Sequence, residues 1–121
     1  MYEDKFIYIE REISTIPWIK IFTQVEFKEL SDCDLATLKA LFNTAMVVEK
    51  TMIEFYKPDK INHASFANYL PRVHLHVMAR FKNDSHFPES MWGKRQRKGK
   101  IDLPEFSKFR QLLLNNLTNK Q

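Results

Sequence analysis

Glycine and cysteine are scarce in this chain, which has two glycines and one cysteine among 121 residues. The sequence contains neither G-x-G-x-x-G nor G-K-[ST], which excludes the glycine-rich loops that bind phosphate through backbone amides. Cys33 has no second cysteine, so an intramolecular disulfide framework and a cysteine-based zinc site are excluded. No apolar run approaches the roughly 18–20 residues of a membrane span, and the acidic N-terminus is unlike a signal peptide. We therefore expect a cytoplasmic protein without membrane contact.

The positive charge is concentrated at the C-terminal end. The chain carries 19 Lys and Arg against 15 Asp and Glu, a formal net charge of +4. Residues 94–121 hold 8 basic and 2 acidic residues, a net of +6, whereas residues 1–93 hold 11 and 13, a net of −2. The basic stretch 94–100 (KRQRKGK) attracts phosphate non-specifically, but no recognition motif accompanies it. A solvated linker is favoured, and specific nucleic-acid binding is not expected.

The sequence contains the patterns of both β-strands and α-helices. Segments rich in β-branched and aromatic residues predict strands at 6–9, 18–23, 61–66 and 72–81. Apolar residues at helical spacing predict a long helix over about 32–56, with Ser31 as its N-cap and Pro58 after its end. A second helical pattern covers 103–117.

The strand predicted at 72–81 has two faces. The apolar face, expected to pack on the long helix, consists of Val73, Leu75, Val77, Ala79 and Phe81. The opposite face consists of Arg72, His74, His76, Met78 and Arg80. Side chains two apart lie about 6.5–7 Å from each other, so both histidines can serve one small anion. Two other interpretations remain open: a pair of partly exposed strand histidines, or two ligands of a zinc site that no nearby Asp, Glu or Cys completes.

The segment 68–80 (NYLPRVHLHVMAR) resembles the signature of the histidine triad (HIT) family, His-φ-His-φ-His-φ-φ, where φ is apolar. Two of the three histidines are present. The register that preserves the closing apolar pair makes His74 the central histidine and His76 the third. Arg72 then occupies the first position, which is commonly replaced in one bacterial branch of the family.

The resemblance to that branch, whose members are often described as diadenosine tetraphosphate hydrolase-like, covers residues 1–93. Further similar segments are 17–21 (PWIKI), 29–30 (EL), the long helix, 58–62 (PDKIN) and 91–93 (MWG). The resemblance implies an α+β fold, an antiparallel sheet of about five strands with one long helix on one face. It also implies a homodimer with a continuous sheet. We expect residues 1–93 to form this domain, and 94–121 to form a basic linker and a C-terminal helix packed on it or extending it.

The resemblance also implies an enzyme that cleaves a nucleoside phosphoramidate or dinucleoside polyphosphate at the α-phosphate. His74 is then the nucleophile of a nucleotidyl-histidine intermediate, for which a neutral imidazole is suited. A main-chain carbonyl of the same strand is expected to orient it. His76 is expected to bind a phosphoryl oxygen or protonate the leaving group. No protein-bound metal is expected, although Mg²⁺ can accompany a polyphosphate. The alternative is a non-catalytic nucleotide-binding protein whose triad is degraded at Arg72.

Residues expected to contact the substrate are Arg72, Asn68, Asn62, Ser65 and Trp18. Arg72 is expected to bind polyphosphate or to keep His74 neutral, the alternative being a solvated strand-end arginine. The two asparagines lie near positions of ribose and phosphate contacts in the family, or are turn residues. The loop at 64–67 lacks the glycine that is usual in the family, and the hydroxyl of Ser65 is expected to contact phosphate instead. Trp18, like Phe22 and Trp92, either stacks on a base or belongs to the core.

Overall fold

Five antiparallel strands form a single sheet in this protein, of which the computed structural model describes residues 1–119. The strands are β1 (Tyr2–Glu3), β2 (Ile7–Arg11), β3 (Trp18–Thr23), β4 (Lys60–Ala64) and β5 (His74–Arg80). Two α-helices complete the fold, α1 (Leu35–Tyr56) and α2 (Phe106–Thr118). The strand order is β1-β2-β3-β5-β4, and every neighbouring pair is antiparallel. The predicted α+β fold with about five strands is confirmed.

Helix α1 begins three residues later than predicted. The expected N-cap, Ser31, is wrong, because Leu30–Asp32 forms a separate 3-10 turn. Asp34 caps the helix instead, and its carboxylate accepts hydrogen bonds from the backbone N–H (3.1 Å) and the hydroxyl (2.7 Å) of Thr37. Aspartate caps as well as serine and adds a negative charge at the positive end of the helix dipole. The predicted end of the helix, at Tyr56, is confirmed.

The hydrophobic core lies between α1 and one face of the sheet. Its fully buried members include Leu41, Ala45, Val48 and Met52 from α1, and Ile7, Ile9, Ile19, Ile21 and Val77 from the strands. Helix α2 packs on α1 and adds Phe109, Leu113 and Leu117, whose spacing of four residues keeps them on one helix face. None of the helices within residues 1–119 combines the length and hydropathy needed to cross a membrane.

Strand β5 is buried on both of its faces. Its apolar side packs toward α1, as the alternation predicted, but the polar side is covered as well. His74 is 6% exposed and His76 is 9% exposed. The aromatic side chains of Phe22, Trp18 and Trp92 lie against the two imidazoles. The histidines therefore occupy a largely dehydrated layer.

A buried ion pair anchors the segment that follows β5. The Arg80 guanidinium donates to the Asp84 carboxylate at 2.8 and 3.0 Å, and also to the side-chain oxygen of Asn62 and the backbone oxygen of Glu89, both at 2.8 Å. Burial alone would raise the pKa of Asp84, but hydrogen bonds from Arg80 and three nearby backbone amides lower it to about 2. This network holds the segment that brings Trp92 to the histidines.

Candidate active site

The carbonyl oxygen of Arg72 orients the imidazole of His74. Nδ1 of His74 lies 2.8 Å from that oxygen. Because a carbonyl oxygen only accepts hydrogen bonds, Nδ1 of the neutral ring carries the proton and Nε2 retains its lone pair. Phe22 packs nearly parallel to the imidazole, with ring centroids 4.8 Å apart and an interplanar angle of 21°. The expected main-chain carbonyl within the same segment is thus that of Arg72.

His76 carries its proton on the other ring nitrogen. The indole Nε1–H of Trp18 donates to Nδ1 of His76 at 3.0 Å. Because an indole N–H can only donate, Nδ1 of His76 is unprotonated, and in the neutral ring the proton lies on Nε2. Burial, followed by the charges of His74 and Lys20, lowers the pKa of His76 to about 4. The imidazole is therefore neutral near pH 7.

A cavity of about 450 Å³ opens beside the two histidines. Its lining consists of Glu12, Lys20, Phe22, Phe66, Ala67, Asn68, Tyr69, Leu70, His74, His76 and Trp92. The volume lies within the range of about 300–1,000 Å³ typical of small-molecule sites. Aromatic and aliphatic walls with a few convergent polar groups suit a ligand that has a flat apolar part and an anionic part. In the described chain, neither His74 nor His76 has a hydrogen-bond partner at Nε2, so both atoms are available to such a ligand.

Lys20 is the one lysine or arginine in the described lining of this cavity. It lies directly opposite His76 in the pairing of β3 with β5. Its ammonium group forms an ion pair with Glu12 at 3.0 Å, and its side chain is 21% exposed. Partly exposed pairs contribute only about 0–1 kcal/mol, so an incoming anion can compete with Glu12 for Lys20.

Three of the seven residues predicted for the site line this cavity: His74, His76 and Asn68. Ser65, which directly follows β4, lies outside this lining and donates its hydroxyl to the carbonyl oxygen of His74 at 3.1 Å. There it lines a second cavity, of about 730 Å³, which Asn68 also lines. Asn62 is bonded to the buried arginine of β5 and lies outside the lining of both cavities.

The side chains of Arg72 and Trp18 also lie outside the lining of the first cavity. The Arg72 guanidinium donates to the backbone oxygen of Thr23 and, at 3.2 Å, to the carboxylate of Glu26. A substrate contact by Arg72 stays a prediction, and it requires the guanidinium to leave these partners. Trp18 lies behind His76, so stacking of Trp18 on a base likewise stays a prediction.

One wall of the cavity is an apolar loop whose role in the site was not predicted from the sequence. Phe66, Tyr69 and Leu70 are each at least half exposed, and all three line the cavity. Ala67, between them, has a φ of 54°, in the left-handed region that favours glycine and that costs other residues free energy. Exposed apolar side chains clustered just before the histidines are the signal that indicates a binding surface there.

The remaining histidines have partners of their own. Nε2 of His63 lies 2.8 Å from the Glu49 carboxylate, and Nδ1 of His86 lies 2.8 Å from the Ser85 hydroxyl. Within residues 1–119 there is no group of three or more His, Cys, Asp or Glu side chains arranged to hold a metal ion.

Solved structures from several microbes share this fold. A histidine triad protein from Bradyrhizobium japonicum superposes with a TM-score of 0.79 at 24% identity, covering 94% of this chain and 86% of that one. One from Marinobacter aquaeolei gives 0.75 at 21% identity, covering 98% and 88%. A hypothetical histidine triad nucleotide-binding protein from Sulfolobus tokodaii gives 0.62 at 13% identity, covering 98% and 82%. No curated protein sequence matches the chain.

The sequence model of the HIT domain family matches residues 1–83. This span includes all five strands, α1 and both cavity histidines, whereas Trp92 and α2 follow it. The match covers more than half of the 121 residues. The chain therefore belongs to the HIT domain family.

Proposed function

We propose that this protein is a nucleotide hydrolase or transferase of the diadenosine tetraphosphate hydrolase-like branch. It would act in the cytoplasm on a nucleoside phosphoramidate or a dinucleoside polyphosphate and cleave the substrate at the α-phosphate. One observation carries the proposal: two neighbouring imidazoles present different Nε2 groups to one cavity. His74 has a lone pair there and His76 has an N–H. The two ring centroids lie 5.0 Å apart, so a lone pair and a donor on neighbouring rings can act on one phosphoryl group.

In the first step, the Nε2 lone pair of His74 forms a bond to the α-phosphorus. The bond from phosphorus to the leaving oxygen or nitrogen breaks, and the leaving group departs with the bonding pair and takes a proton from solvent. The carbonyl oxygen of Arg72 supports this step because its hydrogen bond with Nδ1–H stabilises the positive charge that the ring acquires. His76 donates its Nε2–H to a phosphoryl oxygen. Since His76 is neutral near pH 7, this donor role is favoured over protonation of the leaving group.

In the second step, water attacks the same phosphorus. The N–P bond breaks, its electron pair returns to Nε2 of His74, and the water loses one proton to solvent. The product is a nucleoside monophosphate. Another nucleophile in place of water makes the same chemistry a nucleotidyl transfer.

Charge and shape support the binding mode. Lys20 offers its ammonium group to the phosphates, while Phe66 and Trp92 offer aromatic surface to a base. The second cavity adjoins the first, because Phe66 and Asn68 line both of them. Two adjoining cavities support a substrate that has two parts. Mg²⁺ would arrive with a polyphosphate substrate, and no protein-bound metal is proposed.

The proposal is tested by turnover of adenosine and guanosine phosphoramidates and dinucleoside polyphosphates by the wild type and by His74→Ala. His86→Ala is the control, because His86 lies outside the cavity lining. We expect turnover by the wild type and by His86→Ala, and loss of at least about 10³-fold in His74→Ala, the scale on which loss of a nucleophile acts. Turnover by His74→Ala at the wild-type rate would exclude the mechanism.

The alternative function is nucleotide binding without turnover. It is favoured by Arg72 at the first triad position, where a histidine side chain is missing. This alternative predicts measurable nucleotide affinity in wild type with no product from any substrate of the panel. Binding by calorimetry, run beside the turnover assay, distinguishes the two functions.

The proposed assembly is a homodimer with a continuous sheet. An apolar stripe on α1, formed by Leu35, Phe42, Met46 and Ile53, is exposed over about 40–70% of each side chain. The spacings of 7, 11 and 18 residues from Leu35 keep these side chains on one helix face. Edge strand β4 lies next to this stripe, because His63 of β4 pairs with Glu49 of α1 at 2.8 Å. A second copy pairing its own β4 here would cover both the stripe and the strand edge.

A further inference from the structure

The hydrogen bond from Trp18 to His76 determines which nitrogen of His76 can face a ligand. Donor and acceptor are 58 residues apart in sequence and are brought together by the pairing of β3 with β5, where Trp18 lies opposite Met78 and Lys20 lies opposite His76. The distance of 3.0 Å between Nε1 and Nδ1 is that of a good hydrogen bond. The contact is therefore specific, and it is made by a side chain that lies outside the cavity lining.

We propose that Trp18 is a positioning residue that holds His76 in the Nε2–H tautomer. The isolated neutral imidazole can place its proton on either nitrogen, and the partner of one nitrogen decides the state of the other. The Nδ1–H tautomer of His76 would direct one N–H group at another, so Trp18 excludes it. Without Trp18, a fraction of His76 would present a lone pair to the cavity instead of a donor.

The same contact keeps His76 uncharged. An imidazolium has N–H groups on both nitrogens, so protonation of His76 would break the bond with Trp18 and leave two donors facing each other. The other charged or titratable groups around the ring are His74 on β5, Lys20 on β3 and Glu12 between β2 and β3. Burial, His74 and Lys20 disfavour the charged ring, and Glu12 favours it.

Two chemically identical side chains therefore have different roles. The backbone oxygen of Arg72 leaves a lone pair on Nε2 of His74, whereas the indole of Trp18 leaves a proton on Nε2 of His76. Only one of the two rings is then a nucleophile, and only the other is a donor. The kinetic consequence of this separation rests on the proposed function, but the tautomer itself does not.

The experiment compares three replacements of Trp18 by ¹⁵N NMR of the histidine side chains. Trp18→Phe removes the indole. A benzothienylalanine at position 18 retains the indole shape and replaces N–H by sulfur, so it covers the case in which Trp18→Phe misfolds. A 5-fluorotryptophan at position 18 retains N–H and is the matched control. In wild type and in the fluoro variant, we expect His76 with an unprotonated Nδ1 and a protonated Nε2, and His74 with the reverse.

In Trp18→Phe and in the benzothienyl variant, we expect His76 to show both tautomers and to titrate at higher pH than in wild type. We also expect kcat to fall about tenfold with a smaller change in KM, since a donor to the transition state is weakened. An unchanged His76 spectrum in the benzothienyl variant overturns the proposal. A mixed tautomer with unchanged kcat would bear out the tautomer and contradict the donor role that the proposed function gives to Nε2–H of His76. Absence of turnover in the wild type would instead count against the proposed function, and the spectra would still decide the tautomer.

Discussion

His74 and His76, two residues apart on one strand with ring centroids 5.0 Å apart, carry their protons on different ring nitrogens. The carbonyl oxygen of Arg72 requires a proton on Nδ1 of His74, and the indole of Trp18 requires its absence from Nδ1 of His76. The side chains of Arg72 and Trp18 both lie outside the cavity lining. The protonation state that each Nε2 presents to a ligand is therefore set by groups outside the cavity lining.

Lys20 is expected to bind the phosphates of the substrate. Lys20→Met retains the length of the side chain and removes its charge, so we expect KM to rise about tenfold, equivalent to about 1.4 kcal/mol of lost binding. The increase should grow with the number of phosphates and shrink in high salt, because the interaction is electrostatic. Steady-state kinetics with mono-, di- and tetraphosphate substrates measures this.

Lys39→Met is the matched control, since Lys39 is exposed on α1 and lies outside the lining of the cavity. It should leave KM unchanged. Glu12→Gln removes the competing carboxylate from Lys20 and should lower KM. The role assigned to Lys20 is contradicted if Lys20→Met and Lys39→Met behave alike.

His76 is expected to make the stability of the protein depend on pH. Its pKa is lowered to about 4 in the folded state, against an ordinary value of about 6.5. The neutral ring is thus favoured on folding, and its contribution is fully present above about pH 6.5 and lost as the pH falls toward about 4. We expect the unfolding free energy of wild type to lose on the order of 3 kcal/mol across this window through His76.

Urea unfolding at several pH values, in wild type and in His76→Gln, measures this contribution. His76→Gln should flatten the pH dependence. Equal slopes in wild type and His76→Gln would show that the histidine is not held neutral by the fold.

The buried pair of Arg80 and Asp84 is expected to be necessary for the segment that carries Trp92. Arg80→Met leaves the Asp84 carboxylate buried without its cation, a change that typically costs about 3–5 kcal/mol. Arg110→Met, on the exposed side of α2, should cost less than about 0.5 kcal/mol. Thermal unfolding monitored by tryptophan fluorescence measures the stability of both variants.

The sign of the accompanying acid effect follows from Asp84. Its pKa of about 2 lies below the ordinary value, so its contribution is present above about pH 4 and lost as the pH falls toward about 2. Arg80→Met should weaken this acid dependence. A variant as stable as wild type would contradict the role given to the pair.

The apolar stripe on α1 is expected to be buried between two copies of the chain. Phe42→Asp places a charge in the stripe and should convert the dimer to a monomer, since an unpaired charge in an apolar interface is strongly unfavourable. Asn43→Asp is the control, because it adds the same charge at the next exposed position, away from the stripe. Sedimentation velocity gives the mass of each. A monomeric wild type would contradict the proposed assembly.

The alternation of residues along 72–81 was sufficient to predict β5 and its two faces. It could not predict that the histidine face is covered, because the covering side chains come from β3 and from the segment after Arg80. Period two also places Trp18, Lys20 and Phe22 on one face of their strand. Which histidine each of them meets depends on the register between β3 and β5, and register is a property of the folded sheet.

Side-chain direction was the other quantity that the sequence did not contain. Arg72 was expected beside the substrate because it occupies the first triad position. In the structure its guanidinium turns to Thr23 and Glu26, while its backbone oxygen contacts His74. The start of α1 differs from the prediction for a related reason. Ser31 and Asp34 are both suitable N-cap residues, and only the folded chain shows that Asp34 caps the helix.

The proposed mechanism requires that His74 is the nucleophile and that His76 is not. It is tested most directly by intact mass and peptide mapping of the protein quenched during turnover, in denaturant at alkaline pH, since N–P bonds to histidine are labile in acid. We predict a covalent nucleotidyl group on His74 of the wild type and no such group on His74→Ala. An adduct mapped to His76, or turnover by His74→Ala without any adduct, would contradict the account.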